Sequence, residues 1–284
     1  MPEPDVTLDR LVTHAGGRLK GAGILEGRRE AWRIWCDLQG LPTYAGSVFS
    51  DAAVPPEDAE QFRNAVDRRA RGEPLPYVTG ITGFRQLTLR CDRRALIPRP
   101  ETEGLVELVL RTVTAGVVAD IGTGSGCIAL ALAEEGNYNH VVGVECYSGP
   151  LELARENRRA TGLGIELVAG DLASALGTET VDAIVSNPPY VTEVEYEHLE
   201  PSVREWEPRE ALVAGQDGLE EVRLLVSDAV RVVRPGGWLA LEVDASRAHE
   251  TARLAEQAGW SDLAILDDLF GRARYLLARR SEVP

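Results

Sequence analysis

From about residue 116 the chain alternates short β-branched, apolar runs with helix-forming stretches, and no other feature restricts its fold so strongly. Strands are expected at Val117–Asp120, Val141–Glu145, Ile165–Val168, Val181–Ser186 and Trp238–Val243, with helices between them. That order builds a mainly parallel sheet covered on both faces. Two further runs, Leu263–Leu266 and Tyr275–Ala278, have no obvious helix between them and are expected to close the sheet as an antiparallel hairpin.

The ends of these strands carry the chemistry. Asp120-Ile-Gly122-Thr123-Gly124-Ser125-Gly126 follows an apolar strand and precedes the helix-forming run from Cys127, the context a ligand-binding glycine loop requires. Its glycines permit a tight turn and let a ligand lie against the backbone. Glu145 ends the next strand, where a carboxylate can accept from both hydroxyls of a ribose. On these features alone a nicotinamide dinucleotide is a candidate. Asp120 before the first glycine would repel a pyrophosphate but tolerates a cationic methionine amine, and Asp171, ending the third strand, can accept from an adenine amine. Three strand-end carboxylates in order therefore favour S-adenosyl-L-methionine.

The fourth strand ends in Asn187-Pro188-Pro189-Tyr190. Two prolines cannot donate to a sheet ladder and hold φ near one value, so this is a rigid loop at the sheet edge where open α/β folds bind ligands. A planar nitrogen attacks a methyl group only as it shifts toward tetrahedral. The side-chain oxygen of Asn187 and the carbonyl of Pro188 are acceptors suited to its hydrogens, with Tyr190 as a stacking face. Asn187, Pro188 and Tyr190 are thus the catalytic candidates, and Asn187 to Tyr190 the substrate-binding ones.

Residues 7 to about 78 read as a small helical bundle: Leu8, Leu11, Val12, Ala15 and Leu19 fall at helical spacing, as do Ala31, Trp32, Ile34, Trp35 and Leu38, and a third helix starts at Pro55-Pro56. Arg68, Arg69 and Arg71 at its end could dock an acidic partner or form a solvated helix terminus. Leu87, Leu89 and Cys91 alternate with polar residues, and a hairpin with a second strand at Ala95–Ile97 is expected before a helix opening at Pro98–Glu103.

With 30 basic and 45 acidic residues and a net charge of −15, the chain would repel a nucleic-acid backbone. Cys36, Cys91, Cys127 and Cys146 lack metal spacing and read as small hydrophobes in a reducing compartment, and His14, His140, His198 and His249 are scattered, so no metal site is expected. The Met1–Asp5 start lacks a basic, apolar leader, and no window approaches the ~18 apolar residues of a membrane span. A cytoplasmic protein is expected.

Five segments together resemble the release-factor glutamine methyltransferases, the HemK/PrmC family: Arg71–Gly80, Leu96–Glu103, Asp120–Gly126, Asn187–Tyr190 and Glu207–Leu212. The resemblance covers nearly the whole chain, and its second and last segments are far more specific than the glycine loop. It implies an α/β fold: a Rossmann-like, seven-stranded, mostly parallel methyltransferase sheet with an antiparallel C-terminal hairpin, in residues 101–284. A helical domain at 1–80 that helps dock the substrate protein would be joined to it by a β-hairpin linker at 81–100. The implied reaction moves a methyl group from S-adenosyl-L-methionine to the glutamine amide nitrogen in the Gly-Gly-Gln motif of peptide chain release factors, leaving S-adenosyl-L-homocysteine. Carried over, Gly122 to Gly126, Glu145, Leu172 and Asn187 touch the cofactor and Asn187 to Tyr190 the glutamine. Glu145 stands where the family more often has Asp, Leu172 where some relatives are aromatic, and Glu242-Val-Asp244 replaces Glu-Ile-Gly. An adenine-amine methyltransferase, which shares Asn-Pro-Pro-Tyr, and a non-catalytic protein of the same fold stand as alternatives. Nothing in the sequence demands more than a monomer.

Overall fold

A computed structural model describes residues 7–42 and 52–282; the Met1–Asp5 start read above lies outside them. The chain divides into two compact units, Met1–Ile81 with Glu200–Trp206, and Thr82–Leu199 with Glu207–Pro284. Among the described residues no helix is long and apolar enough to cross a membrane.

In the first unit, α1 (Leu8–Gly21), α2 (Gly27–Gln39) and α3 (Pro56–Ala70) form where the apolar spacing predicts. Their facing stripes bury Leu11, Leu19, Ile34 and Phe62, and Trp35 meets Phe62 edge-on with ring centroids 5.7 Å apart. A short α4 (Leu75–Thr79), entered through Pro74 and Pro76, went unread because five residues carry no period. Two arginines of the run at the end of α3 are tied down within this unit. The Arg68 guanidinium donates to Glu73 at 2.5 and 2.8 Å and to the carbonyls of Tyr77 and Val78, and Arg69 donates to Glu30 at 2.7 Å. These two side chains hold the unit together internally.

The second unit opens with a hairpin of β1 (Ile81–Phe84) and β2 (Leu87–Arg90), one strand earlier than expected. Arg85 makes the turn at φ 50°, and its side chain is held by Glu107 and Glu135. The second strand expected at Ala95–Ile97 does not form. Ala95 and Ile97 are buried, but the Ile97 N–H donates to the Glu207 carboxylate at 3.1 Å, so a side chain satisfies backbone that the alternation had assigned to a ladder.

The remaining elements follow in order: α5 (Pro100–Thr112), β3 (Val117–Ile121), α6 (Cys127–Glu135), β4 (His140–Glu145), α7 (Ser148–Thr161), β5 (Glu166–Ala169) and β6 (Val181–Ser186). After β6 come α8 (Glu193–Tyr196), α9 (Pro201–Arg204), a 3-10 turn at Arg209–Ala211, α10 (Glu220–Val232), β7 (Val233–Glu242), α11 (Ala248–Ala258), β8 (Trp260–Asp267) and β9 (Ala273–Arg280). They build the expected seven-stranded sheet in the order β5-β4-β3-β6-β7-β9-β8, parallel except for β9, which runs antiparallel to both neighbours. Helices were expected in every earlier crossover; residues 171–180 between β5 and β6 make turns instead, a short segment with Ser174 and Gly177 that cannot sustain one. β7 starts at Val233 rather than Trp238, running through Gly236 and Gly237 with a register irregularity against β6.

Both faces of the sheet are covered, as period two requires. Ala119, Ile121, Ile184 and Leu239 pack with α10 and α11, while Val118, Ala183, Val185 and Ala240 pack with α5 and α6. Ile121 pairs with Val144 on one side and Ser186 on the other, and Ser186 with Leu241. The C-terminal ends of β3, β4, β6 and β7 therefore stand level, and strand order reverses at β3, where α/β sheets place ligands.

Gly104 marks how closely α5 sits on the sheet. A Cβ there would lie 2.1 Å from the Tyr275 hydroxyl, which donates to the Glu101 carbonyl at 2.7 Å. Gly104→Ala is expected to cost about 1–3 kcal/mol in urea unfolding, the scale of overpacking, and Tyr275→Phe in the same chain to recover part of it. A Gly104→Ala protein as stable as the parent would show that α5 moves freely on β9.

Candidate functional site

Gly122 and Thr123 turn over the top of β4, both N–H groups donating to the Val144 carbonyl at 2.9 and 3.0 Å. Gly122, Gly124 and Gly126 have φ of 69°, 56° and 83°, where an L side chain costs about 1–2 kcal/mol. Nothing lies within 4 Å of a Cβ built on Gly122, so the space above the loop is open to a ligand. Gly126 serves another end. It begins α6, and its Cβ would press on Ala154 at 3.3 Å, so it brings α6 and α7 together.

These glycines form one wall of a cleft with about 1150 Å³ of empty space, its open mouth included. Gly122, Thr123, Gly124, Ser125, Glu145, Asp171, Leu172, Asn187, Pro188 and Pro189 all line it, so the structure gathers most of the residues picked from sequence. Gly126, Asp120 and Tyr190 are not part of that wall. Asp120, fully buried, accepts at Oδ2 from the Thr123 hydroxyl at 2.5 Å and the Ala129 N–H at 3.2 Å, bracing the loop from below, while its buried Oδ1 has no hydrogen-bond partner among the described residues. Burial pushes its carboxyl up to about 7 against those hydrogen bonds, with the nearby Glu145 charge adding to the rise. The Tyr190 phenol is pushed up to about 12, chiefly by burial.

Glu145 is 6% exposed and rigidly aimed: one oxygen accepts from the Gly124 N–H and the other from the Tyr147 N–H, each at 3.0 Å. Both oxygens retain lone pairs for a ligand. Leu172 adopts φ 48°, costly for a side chain with a Cβ, and its main chain turns so that Asp171 and Leu172 both meet the cleft. Asn187 follows β6, and its Nδ2 donates to the Thr102 hydroxyl at 3.2 Å, which in turn donates to Glu242 at 2.7 Å. Val191 exchanges backbone hydrogen bonds with Leu212 and Ala214, tying down the far end of the Asn187–Tyr190 loop.

Residues with no assigned role in the sequence complete the wall, among them Leu96, Pro98, Arg99, Thr102, Pro208 and Glu210. Glu207, 5% exposed, accepts from the Ile97 N–H and from the Arg99 guanidinium, clamping one segment to the other. The only sequence signal for them is the family resemblance carried by the segments Leu96–Glu103 and Glu207–Leu212. All four cysteines are free, and Cys127 and Cys146 touch the cleft.

The sign of the Asp120 shift makes it testable. Its folded value lies above its ordinary 3.8, so stability is fully present below about 3.8 and is lost as pH rises through about 7. Asp120→Asn is expected to gain on the parent protein over that window, by at most about 1.4 kcal/mol per pH unit, in urea unfolding at pH 5 and pH 8. A difference that does not grow with pH would show that the carboxylate is well solvated.

Comparison with known proteins matches this geometry. Residues 10–80 match the PrmC N-terminal domain and residues 101–200 the methyltransferase small domain. The release factor glutamine methyltransferase of Geobacter sulfurreducens is 37% identical over 279 residues, 98% of each chain, and that of Cereibacter sphaeroides 39% over 264 residues, 92% of this chain and 94% of its own. A crystal structure of a methyltransferase from Pyrococcus furiosus shares the fold, with a TM-score of 0.53 and 21% identity over 70% of this chain and 91% of that one. With relatives this similar along nearly its full length and with the glycine loop and Asn187 facing one cleft, the chain belongs to the release factor glutamine methyltransferase family.

Proposed function

We propose that this protein methylates the side-chain amide nitrogen of the glutamine in the Gly-Gly-Gln motif of peptide chain release factors, using S-adenosyl-L-methionine and releasing S-adenosyl-L-homocysteine. The observation that carries the reading is the single cleft that joins the glycine loop and Glu145 to Asn187 and Pro188.

The residues present fit the cofactor. Glu145, held by two backbone donors, offers the ribose hydroxyls a fixed carboxylate, and the open space over Gly122 admits a ligand against the backbone. Asp171 and Leu172 take the adenine side. The charges of the wall discriminate further: Glu145, Asp171, Glu210 and Glu221 line it, while its arginines are committed, Arg94 to Asp92 and Glu156 and Arg99 to Glu207. A cationic ligand suits this wall, and the pyrophosphate of a dinucleotide does not.

When bound, the cofactor supplies a methyl group already activated on a sulfonium. The protein's task is to make a planar amide nitrogen nucleophilic. The Asn187 side-chain oxygen and the Pro188 carbonyl accept from the amide hydrogens, favouring the tetrahedral geometry in which the nitrogen lone pair is free. Asn187 and Pro188 would hold the amide nitrogen toward that methyl group, and the proton the nitrogen sheds on transfer would leave for solvent. Positioning does most of the work, which agrees with a site built without histidine. A translation factor as substrate sets the protein in the cytoplasm, with the helical unit assigned to docking it; the net charge of −15 supports a protein substrate over a nucleic acid.

The test is transfer of labelled methyl from S-adenosylmethionine to a release factor and to the same factor with its motif glutamine replaced. Label on the intact factor alone is expected; label on the replaced one, or on duplex DNA instead, overturns the reading. Asn187→Ala should lower kcat roughly a hundredfold or more, the scale for losing a preorganised polar group. Glu145→Ala should instead weaken cofactor binding, read by calorimetry, roughly tenfold to a hundredfold. Unchanged binding would remove Glu145 from the ribose.

A further inference from the structure

We infer that Thr102 and Glu242 are positioning residues that fix which way round the Asn187 amide sits, so that its oxygen and not its nitrogen meets the substrate. The inference rests on the methyl-transfer reading for its purpose, though its geometry stands apart from it. Three elements converge here: Thr102 in the first turn of α5, Asn187 just past β6 and Glu242 at the end of β7. Thr102 is 3% exposed and Glu242 2%.

The chain of hydrogen bonds has only one polarity when Glu242 is ionised. A carboxylate accepts and cannot donate, so the Thr102 hydroxyl must give its one proton to Glu242 Oε2, at 2.7 Å. Toward Asn187 the hydroxyl can then only accept, and the amide must present Nδ2, at 3.2 Å. Oδ1 is left available to accept. The two ends of an amide are nearly the same size, so packing alone does not choose between them. With the nitrogen forward the site would face the substrate's N–H groups with more N–H groups, and the acceptor the chemistry needs would be lost.

Protonation of Glu242 removes the constraint, because the carboxyl becomes a donor and Thr102 is free to donate to Asn187. Burial pushes Glu242 up to about 7, with the Thr102 hydrogen bond, Arg274 and Arg99 opposing and Glu101 adding to the rise. Tyr190, Tyr275 and Cys127, which also feel this carboxylate, are each pushed up to about 12 and stay neutral in this range.

The experiment measures kcat and both KM values from pH 6 to 8 for wild type, Thr102→Val, Thr102→Ser and Glu242→Gln, and follows the Asn187 side-chain N–H resonances by NMR in the protein without cofactor. In Thr102→Val, kcat is expected to fall roughly tenfold, with both KM values within about twofold, and Thr102→Ser to recover most of the loss. Wild-type kcat should decline as pH drops through about 7, and that decline should vanish in Glu242→Gln. The Asn187 N–H protons should be protected from exchange in wild type and Thr102→Ser and unprotected in Thr102→Val. Wild-type kcat in Thr102→Val, equal losses in the Val and Ser variants, or a pH decline that persists in Glu242→Gln would overturn the inference. Should wild type methylate no release factor, the function fails, and the exchange measurement still decides the orientation: unprotected Asn187 protons in wild type reject it.

Discussion

Four carboxylates withheld from water near the C-terminal edge of one sheet are the constraint around which this unit is arranged. Asp120, Glu145, Glu207 and Glu242 are each 6% exposed or less, and three of them end or nearly end parallel strands. Burying an ionised carboxylate without partners costs several kcal/mol, so each must recruit donors. Each does so differently. Glu145 uses backbone N–H groups of the loops it shapes, Asp120 a hydroxyl and a helix N–H, Glu207 an arginine and a loop N–H, and Glu242 a threonine hydroxyl. The donors come from the segments that wall the cleft, so compensating the charges and shaping the site are one task.

For two of them the compensation is partial. Asp120 and Glu242 are pushed up to about 7, with burial the leading cause in both. Natural sites often keep such uncompensated groups where stability is exchanged for function. Asp120 lies under the loop that would carry a cation, and a bound positive charge would lower the cost of its ionised form. Part of its desolvation cost is thereby coupled to ligand binding, which gives an acidic residue a reason to sit just outside the wall.

The sheet and the glycine loop were legible because both rest on local pattern: period two along the strands, and glycines between an apolar strand and a helix. Asn187, Glu145 and Asp171 were legible for a related reason, as chemistry at the ends of elements already placed. What escaped depends on partners far apart in sequence. Ala95–Ile97 alternates like a strand, yet its backbone is satisfied by a carboxylate 110 residues later. Arg68 belongs to a run that reads as a dock for an acidic partner or a solvated helix terminus, yet it donates to carbonyls of α4, itself too short to have a period. Thr102 and Glu242 are 140 residues apart, and no spacing rule relates them. The family segments containing Thr102 and Glu207 were visible as unusual words, without the contacts that give them meaning.

The use of an amide at position 187 follows from the same charge constraint. A carboxylate there would be a stronger acceptor toward a substrate N–H, and it would need no orienting because its two oxygens are equivalent. It would also be another anion close to Glu242, which is already hard to keep ionised. A neutral amide avoids that repulsion and adds no new ion to desolvate. Its drawback is that it has a wrong way round, and a single hydroxyl with its proton committed elsewhere removes that ambiguity. The buried Glu242 thus acts through Thr102 as the group that gives a neutral side chain a direction, and its own burial sets the pH at which that direction is lost.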